Sequence, residues 1–240
     1  MELALTLPVF VSYHLGVVFL RVKNASDLVT GPLLALAHGS RATYLGMTLS
    51  IGLVFTGIFA LLGRGHAFRL GKFIQIAVEG AVYAIVMRFG AEFVVGRLPV
   101  VVGAPGSRGA VPRALGSDPV MGVVMSLGAG FYEELAFRVI LFGFGAKVLV
   151  SLLAHERWIL VDQGPRLTMK AVFITLVWAL VAASAFSGVH YVGELSDRFE
   201  LSSFTFRFLL GIVLTLIFSL RGFAAAVWTH TLYDAWVLVL

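Results

Sequence analysis

The chain has 240 residues, 59% of them hydrophobic and 13% charged, with a mean hydropathy of +0.96. Soluble domains carry about 45–50% apolar and about 25% charged residues, so this composition excludes an ordinary soluble protein and points to a polytopic membrane protein. The net charge of +5 is spread over many loops and suits anionic lipid headgroups better than nucleic acid; the lack of cysteine excludes disulfides and thiolate chemistry.

A membrane helix needs about 20 mostly apolar residues. In chain order, the apolar segments that meet this need run over 3–20, 43–63, 73–96, 119–153, 168–190, 203–220 and 222–240. The first follows Met1-Glu2-Leu3-Ala4-Leu5, which has no basic leader and no clear small-residue cleavage site, and reads as a retained span. Residues 24–38 open on Asn24-Ala25-Ser26-Asp27, a helix-start signal before a short apolar run, and read as a half-span. The fourth segment is too long for one straight crossing and is expected to be tilted, broken, or interfacial at one end. Residues 97–118 hold Pro99, Pro105 and Pro112 with Arg97, Arg108 and Arg113, and form the clearest loop. Residues 154–170 form a second polar connection. Residues 193–202 form a third, acidic through Glu194, Asp197 and Glu200. The expected fold is all-α: one membrane domain over 1–240, a helical bundle of about seven transmembrane helices within a range of six to eight. The 26 glycines suit close helix packing in lipid.

A charged residue at the centre of a membrane helix costs about 2.5–3.5 kcal/mol on insertion scales, so ionisable groups kept there mark functional positions. The run Tyr132-Glu133-Glu134-Leu135-Ala136-Phe137-Arg138 puts two carboxylates and a guanidinium into an otherwise apolar segment. On a helix Glu134 and Arg138 are four apart and can pair. Glu133 points about 100° away from Glu134 and is left to face a cavity. A glutamate held partly out of water is a usable general base near neutral pH. Taken alone, the run also fits a buried ion pair that fixes helix packing. Phe186-Ser187-Gly188-Val189-His190 places a histidine near the end of the fifth span, with Phe186 one turn before it. Alone, these fit an interfacial histidine and a packing ring. Trp228-Thr229-His230-Thr231-Leu232-Tyr233-Asp234 sets His230 and Asp234 four apart in the last span, where the carboxylate can orient the imidazole or join it on a metal. His14, Glu79 and Arg88 are further polar residues within spans. They read as structural contacts or cavity linings, and Glu79 and Arg88, nine apart, are too distant to pair within one turn.

Together the three segments hold complementary chemistry: Glu133, His190, and His230 with Asp234, on three separate helices, can activate water, or can hold a divalent metal, zinc first. There is no HExxH, no GxSxG and no cysteine nucleophile.

The order EExxxR, FxxxH, HxxxD on separate membrane segments resembles the CAAX protease and bacteriocin-processing family of intramembrane endopeptidases. The resemblance runs from about residue 120 to the C-terminus, with a motif-bearing protease core over about 118–240. It implies that Glu133 is the catalytic base, that His190 helps it activate water, and that His230 and Asp234 stabilise the oxyanion or bind metal. Glu134 and Arg138 would support the site or hold a substrate carboxylate, and Phe186 would wall it. The prenyl-protease branch usually has Asn at the last position. An ionised Asp234 cannot donate to an oxyanion, so orienting His230 or ligating metal suits it better. The expected activity is hydrolysis of a membrane-anchored peptide or protein by a multi-pass protein of the cell membrane, with the bilayer as its other partner and no nucleic acid. Two alternatives stand beside it: a non-catalytic scaffold that binds a partner helix, and a proton-coupled transporter. Transporters commonly show two similar halves, and here the motifs all fall in the second half.

Overall fold

The computed structural model describes residues 2–20, 24, 27, 29–62, 70–97, 118–155, 168–192 and 196–239. Eight helices and no strand occur among them. They are α1 (Glu2–Leu20), α2 (Thr30–Leu36), α3 (Arg41–Leu62), α4 (Leu70–Val95), α5 (Pro119–Ala154), α6 (Met169–Gly188), α7 (Leu201–Arg221) and α8 (Phe223–Val239). The seven long ones coincide with the seven apolar segments. Four, namely α4, α5, α6 with its terminal turn, and α7, are long and apolar enough to cross a membrane; Ala4–Leu20 is a shorter apolar helix. By that measure the described residues support four crossings where seven were expected. The proline-rich loop and Glu194 lie outside the described residues, as does most of the 154–170 connection.

The long fourth segment is one continuous helix of 36 residues. At about 1.5 Å per residue it is roughly 54 Å long, well beyond the ~30 Å hydrocarbon core. Asp118 caps its start, accepting from Val120 N at 2.9 Å ahead of Pro119. Directly after Glu134 the helix widens into π-helical turns over Leu135–Phe144. Wide turns of this kind are rare and concentrate at functional sites. Here they accompany a second bond: the Leu141 carbonyl accepts from Trp178 Nε1 of α6 at 2.8 Å. A Cβ at Gly145 would fall 2.5 Å from that same Nε1, so glycine is what lets the indole close on α5.

α8 lies at the centre of the bundle, against α5 on one side and α4 on another, with α1 and α7 also touching it. Its first turns explain this. Ala224, Ala225 and Ala226 are fully buried and present no side chain large enough to hold neighbours away. The facing helices use glycine. A Cβ at Gly130 would sit 2.0 Å from Thr231 Oγ1, and one at Gly80 would sit 2.9 Å from Trp228 Cβ. The outward faces are apolar, as on α4, where Val78, Val82, Ile85, Val86, Phe89 and Phe93 are exposed. In water such a surface would aggregate; against acyl chains it is at home.

α2 is a helix of seven residues that begins at Thr30, later than the expected start at 24–27 and shorter than a half-span over 24–38. Asp27 accepts from the backbone N–H of Val29 and Thr30, both at 2.9 Å. The same carboxylate accepts from Tyr13 Oη at 2.7 Å and from the Thr30 hydroxyl. From there a buried chain of bonds reaches α5. Thr30 Oγ1 meets Tyr44 Oη at 3.2 Å, Tyr44 Oη meets His14 Nδ1 at 2.6 Å, and His14 Nε2 meets Tyr132 Oη at 2.8 Å. Donor counting fixes its direction. Thr30 spends its proton on Asp27, so Tyr44 donates to Thr30, His14 Nδ1–H donates to Tyr44, and Tyr132 donates to His14 Nε2. His14 is thus a buried structural contact that ties α1, α2 and α3 to the residue just before Glu133. Glu79 and Arg88 do not pair with each other. Glu79 binds Arg221 at the end of α7 at 2.6 and 2.8 Å. Arg88 pairs with Glu92 at 3.2 Å and lies over the Trp236 ring.

Candidate active site

Glu133 and Glu134 end the α-helical part of α5 where it crosses α8, three and four residues beyond the Gly130–Thr231 contact. That contact carries His230 alongside. Glu134 Oε1 lies 2.7 Å from His230 Nδ1, and Glu134 Oε2 lies 3.1 Å from Arg138 Nε. All three are buried, Glu134 completely. The Glu134–Arg138 contact is a charge pair whose atoms are not in line for a hydrogen bond. The Arg138 guanidinium also stacks on the Phe186 ring at 4.2 Å, an attraction of cation and π-face that strengthens without water. The expected pairing of Glu134 with Arg138 is therefore present, despite the widened turns between them.

With Nδ1–H donated to Glu134, His230 turns Nε2 to the other side. There Asp234 Oδ2 is 3.4 Å away and Glu133 Oε2 is 3.9 Å away. This differs from the sequence reading, in which Asp234 orients the ring. Glu134, from another helix, holds the orienting nitrogen, and Asp234 stands beside the working one. Spacing of four within α8 predicts that Asp234 is near. It cannot show that a carboxylate ninety-six positions away comes nearer.

His190 lies in the single 3₁₀ turn, Val189–Tyr191, that ends α6. Its Nδ1 is 3.0 Å from the Phe186 carbonyl, which can only accept, so Nδ1 carries the proton and Nε2 keeps its lone pair. Phe186 is buried and joins the two imidazoles: its ring centroid is 5.6 Å from that of His190 and 5.8 Å from that of His230. It is not a lipid-facing ring. Glu133, His230 and Asp234 thus meet directly, whereas His190 joins them across Phe186.

A metal was expected to draw on Glu133, His190, His230 and Asp234. Among the described residues no group of three or more His, Asp or Glu side chains is placed to hold an ion. Nδ1 of each histidine is bonded within the protein, which leaves Nε2 as the ring nitrogen each could offer a ligand. As placed, fewer than three of these side chains converge, and a zinc site needs at least three ligand atoms at about 2 Å.

The arrangement can do acid–base chemistry. Glu133 offers a carboxylate 9% exposed at its side chain, His230 an Nε2 aimed at the same space, and His190 a second free imidazole nitrogen. Sequence reasoning did not find Tyr132 or His14 as the support behind Glu133. Their only signal is polarity within apolar spans, shared by residues that have no such role.

A family model described as type II CAAX prenyl endopeptidase Rce1-like matches residues 115–236. The match takes in α5, α6, α7 and nearly all of α8, and with them each of the three motifs. No curated protein and no solved structure matches the chain. The motifs on their separate helices and the match over half of the sequence agree, and the chain belongs to the type II CAAX prenyl endopeptidase Rce1-like family.

Proposed function

We propose that this integral membrane protein is a glutamate-type endopeptidase that hydrolyses a peptide bond of a membrane-anchored peptide or protein. One observation carries the reading: Glu133, Glu134 and Asp234 surround His230 within an apolar bundle. Three carboxylates around one imidazole have no packing purpose that apolar side chains would not serve better.

Glu133 accepts a proton from a water molecule as its oxygen adds to the scissile carbonyl carbon. His190, through Nε2, shares that water and fixes its direction. The carbonyl electrons move onto oxygen, and His230, as an imidazolium, donates Nε2–H to the oxyanion. Glu134 on Nδ1 holds the ring in that orientation, and Arg138 holds Glu134. Asp234, 3.4 Å from Nε2, stabilises the imidazolium without touching the oxyanion. Collapse of the intermediate breaks the C–N bond, and Glu133 returns its proton to the leaving amine. The side chains complete this cycle, and no step is routed through zinc.

The test is Glu133→Gln, assayed on a membrane-anchored peptide in liposomes. The expected result is a fall in turnover of about 10²–10⁴, the usual worth of a general base, with unchanged melting in detergent. A chelator added to wild type leaves the rate as it was. Retained turnover in a folded Glu133→Gln protein removes Glu133 as the base.

A further inference from the structure

We infer that Asp197 and Arg207 form a clasp that positions the His190 imidazole, an inference that rests on the catalytic reading of His190. A helix end leaves its last carbonyls without partners and tends to fray. His190 sits in such an end, in a single 3₁₀ turn. Its carbonyl is capped by the chain that returns after it: Asp197 N donates to His190 O at 2.9 Å. The Asp197 side chain then fixes that segment to α7, accepting from Arg207 Nη2 at 2.5 Å. Arg207 reaches back to the turn as well. Its Nη1 donates to Tyr191 Oη at 3.0 Å and to Ser203 Oγ at 3.1 Å. One guanidinium therefore holds the residue after His190 and the residue that caps it.

Aromatic packing closes the same loop. Tyr191 meets Phe199 edge-on at 5.2 Å, and Phe199 lies 5.9 Å from Phe204. Ser187 Oγ donates to the Phe204 carbonyl at 2.8 Å, three residues before His190. The ion pair is only partly exposed, with 16% of the Arg207 and 25% of the Asp197 side chain reached by solvent, so salt screens it weakly. Neither residue touches Glu133, His230 or Asp234 among the contacts described above. Their effect on hydrolysis passes through His190: with the turn held, Nδ1 keeps its bond to Phe186 and Nε2 faces the reacting water. With the turn free, the ring samples other orientations and either tautomer.

The experiment compares Asp197→Asn, Asp197→Ala, Arg207→Gln and the exchange Asp197→Arg with Arg207→Asp, all in liposomes. The single variants are expected to lower kcat about tenfold with KM unchanged, Asp197→Asn less than Asp197→Ala. The exchange restores at least part of the loss. A readout independent of turnover is ¹⁵N NMR of histidine-labelled protein, with the His190 signals assigned by difference from His190→Gln. Wild type shows a protonated Nδ1, and the single variants show signals averaged between tautomers. Unaltered kcat and unaltered His190 signals in folded variants overturn the clasp. Altered signals with unaltered kcat keep the clasp and overturn the catalytic reading of His190. If Asp197→Ala does not fold, Asp197→Asn and the exchange carry the test, since both keep polar groups at each end of the pair.

Discussion

Glu134 is the residue on which the site's geometry turns. It binds His230 with one oxygen and Arg138 with the other, with no exposed surface of its own. Removing its charge leaves the buried Arg138 guanidinium without its paired carboxylate, a loss of about 3–5 kcal/mol where one partner of a buried pair is deleted. Glu134→Gln is therefore expected to lower stability, read as a melting shift in detergent, and to reduce turnover even in the fraction that folds. Glu133→Gln lowers turnover alone. On the proposed mechanism two adjacent glutamates of identical chemistry thus separate by assay, one acting as the base and the other holding His230 and Arg138. The sequence shows the pair and its spacing to Arg138; it does not show which nitrogen of His230 each carboxylate meets. That depends on how α5 is rotated against α8, and no local pattern encodes it.

At the scale of the element, the crossing of α5 and α8 sets the distance between Glu133 and His230. Gly130 makes that crossing close. A methyl there meets Thr231 Oγ1 and the Thr231 backbone at under 3 Å, and backbone cannot step aside as a flexible side chain can. Gly130→Ala is expected to separate the helices, destabilise the protein by about 1–3 kcal/mol as overpacking does, and lower turnover by more than the stability loss alone accounts for. Gly46→Ala is the control. Gly46 is exposed on α3 with nothing near its Cβ position, so its change in melting stays within about 0.5 kcal/mol. Both are assayed by melting and cleavage in the same detergent. The seven apolar segments were legible as helices because each is a long, mostly apolar run, and that property is local. The π-helical widening of α5 was not legible beyond the excess length of its segment. It is accompanied by the Trp178–Leu141 bond and the Gly145 contact, which are tertiary.

For the whole molecule, the helices before residue 115 lie outside the family match yet are fastened to the motif-bearing core. The fastening is the bond chain from Asp27 through Thr30, Tyr44 and His14 to Tyr132. A hydrophobic cluster of Tyr13, Val17, Val18, Tyr44, Val124 and Tyr132 surrounds it. His14→Leu leaves the buried Tyr44 and Tyr132 hydroxyls without this partner, at about 1–3 kcal/mol for each group stranded. The expected outcome is a lower melting temperature and earlier proteolysis of the first three helices. His14→Gln, which can still donate and accept, loses less. Equal melting of His14→Leu and wild type would show that the chain does not hold the two parts together.

The amino-acid sequence alone determined the membrane setting, the extent of the long helices and which ionisable residues stand within apolar segments. Hydropathy and charge cost act residue by residue and need no knowledge of neighbours. Tertiary structure alone decided which carboxylate holds which nitrogen, that His190 joins across Phe186, and that the returning chain caps it. The contacts of Glu133 and Glu134 with His230 join positions 97 and 96 residues apart, and their geometry follows from the angles and rotations at which packed helices meet.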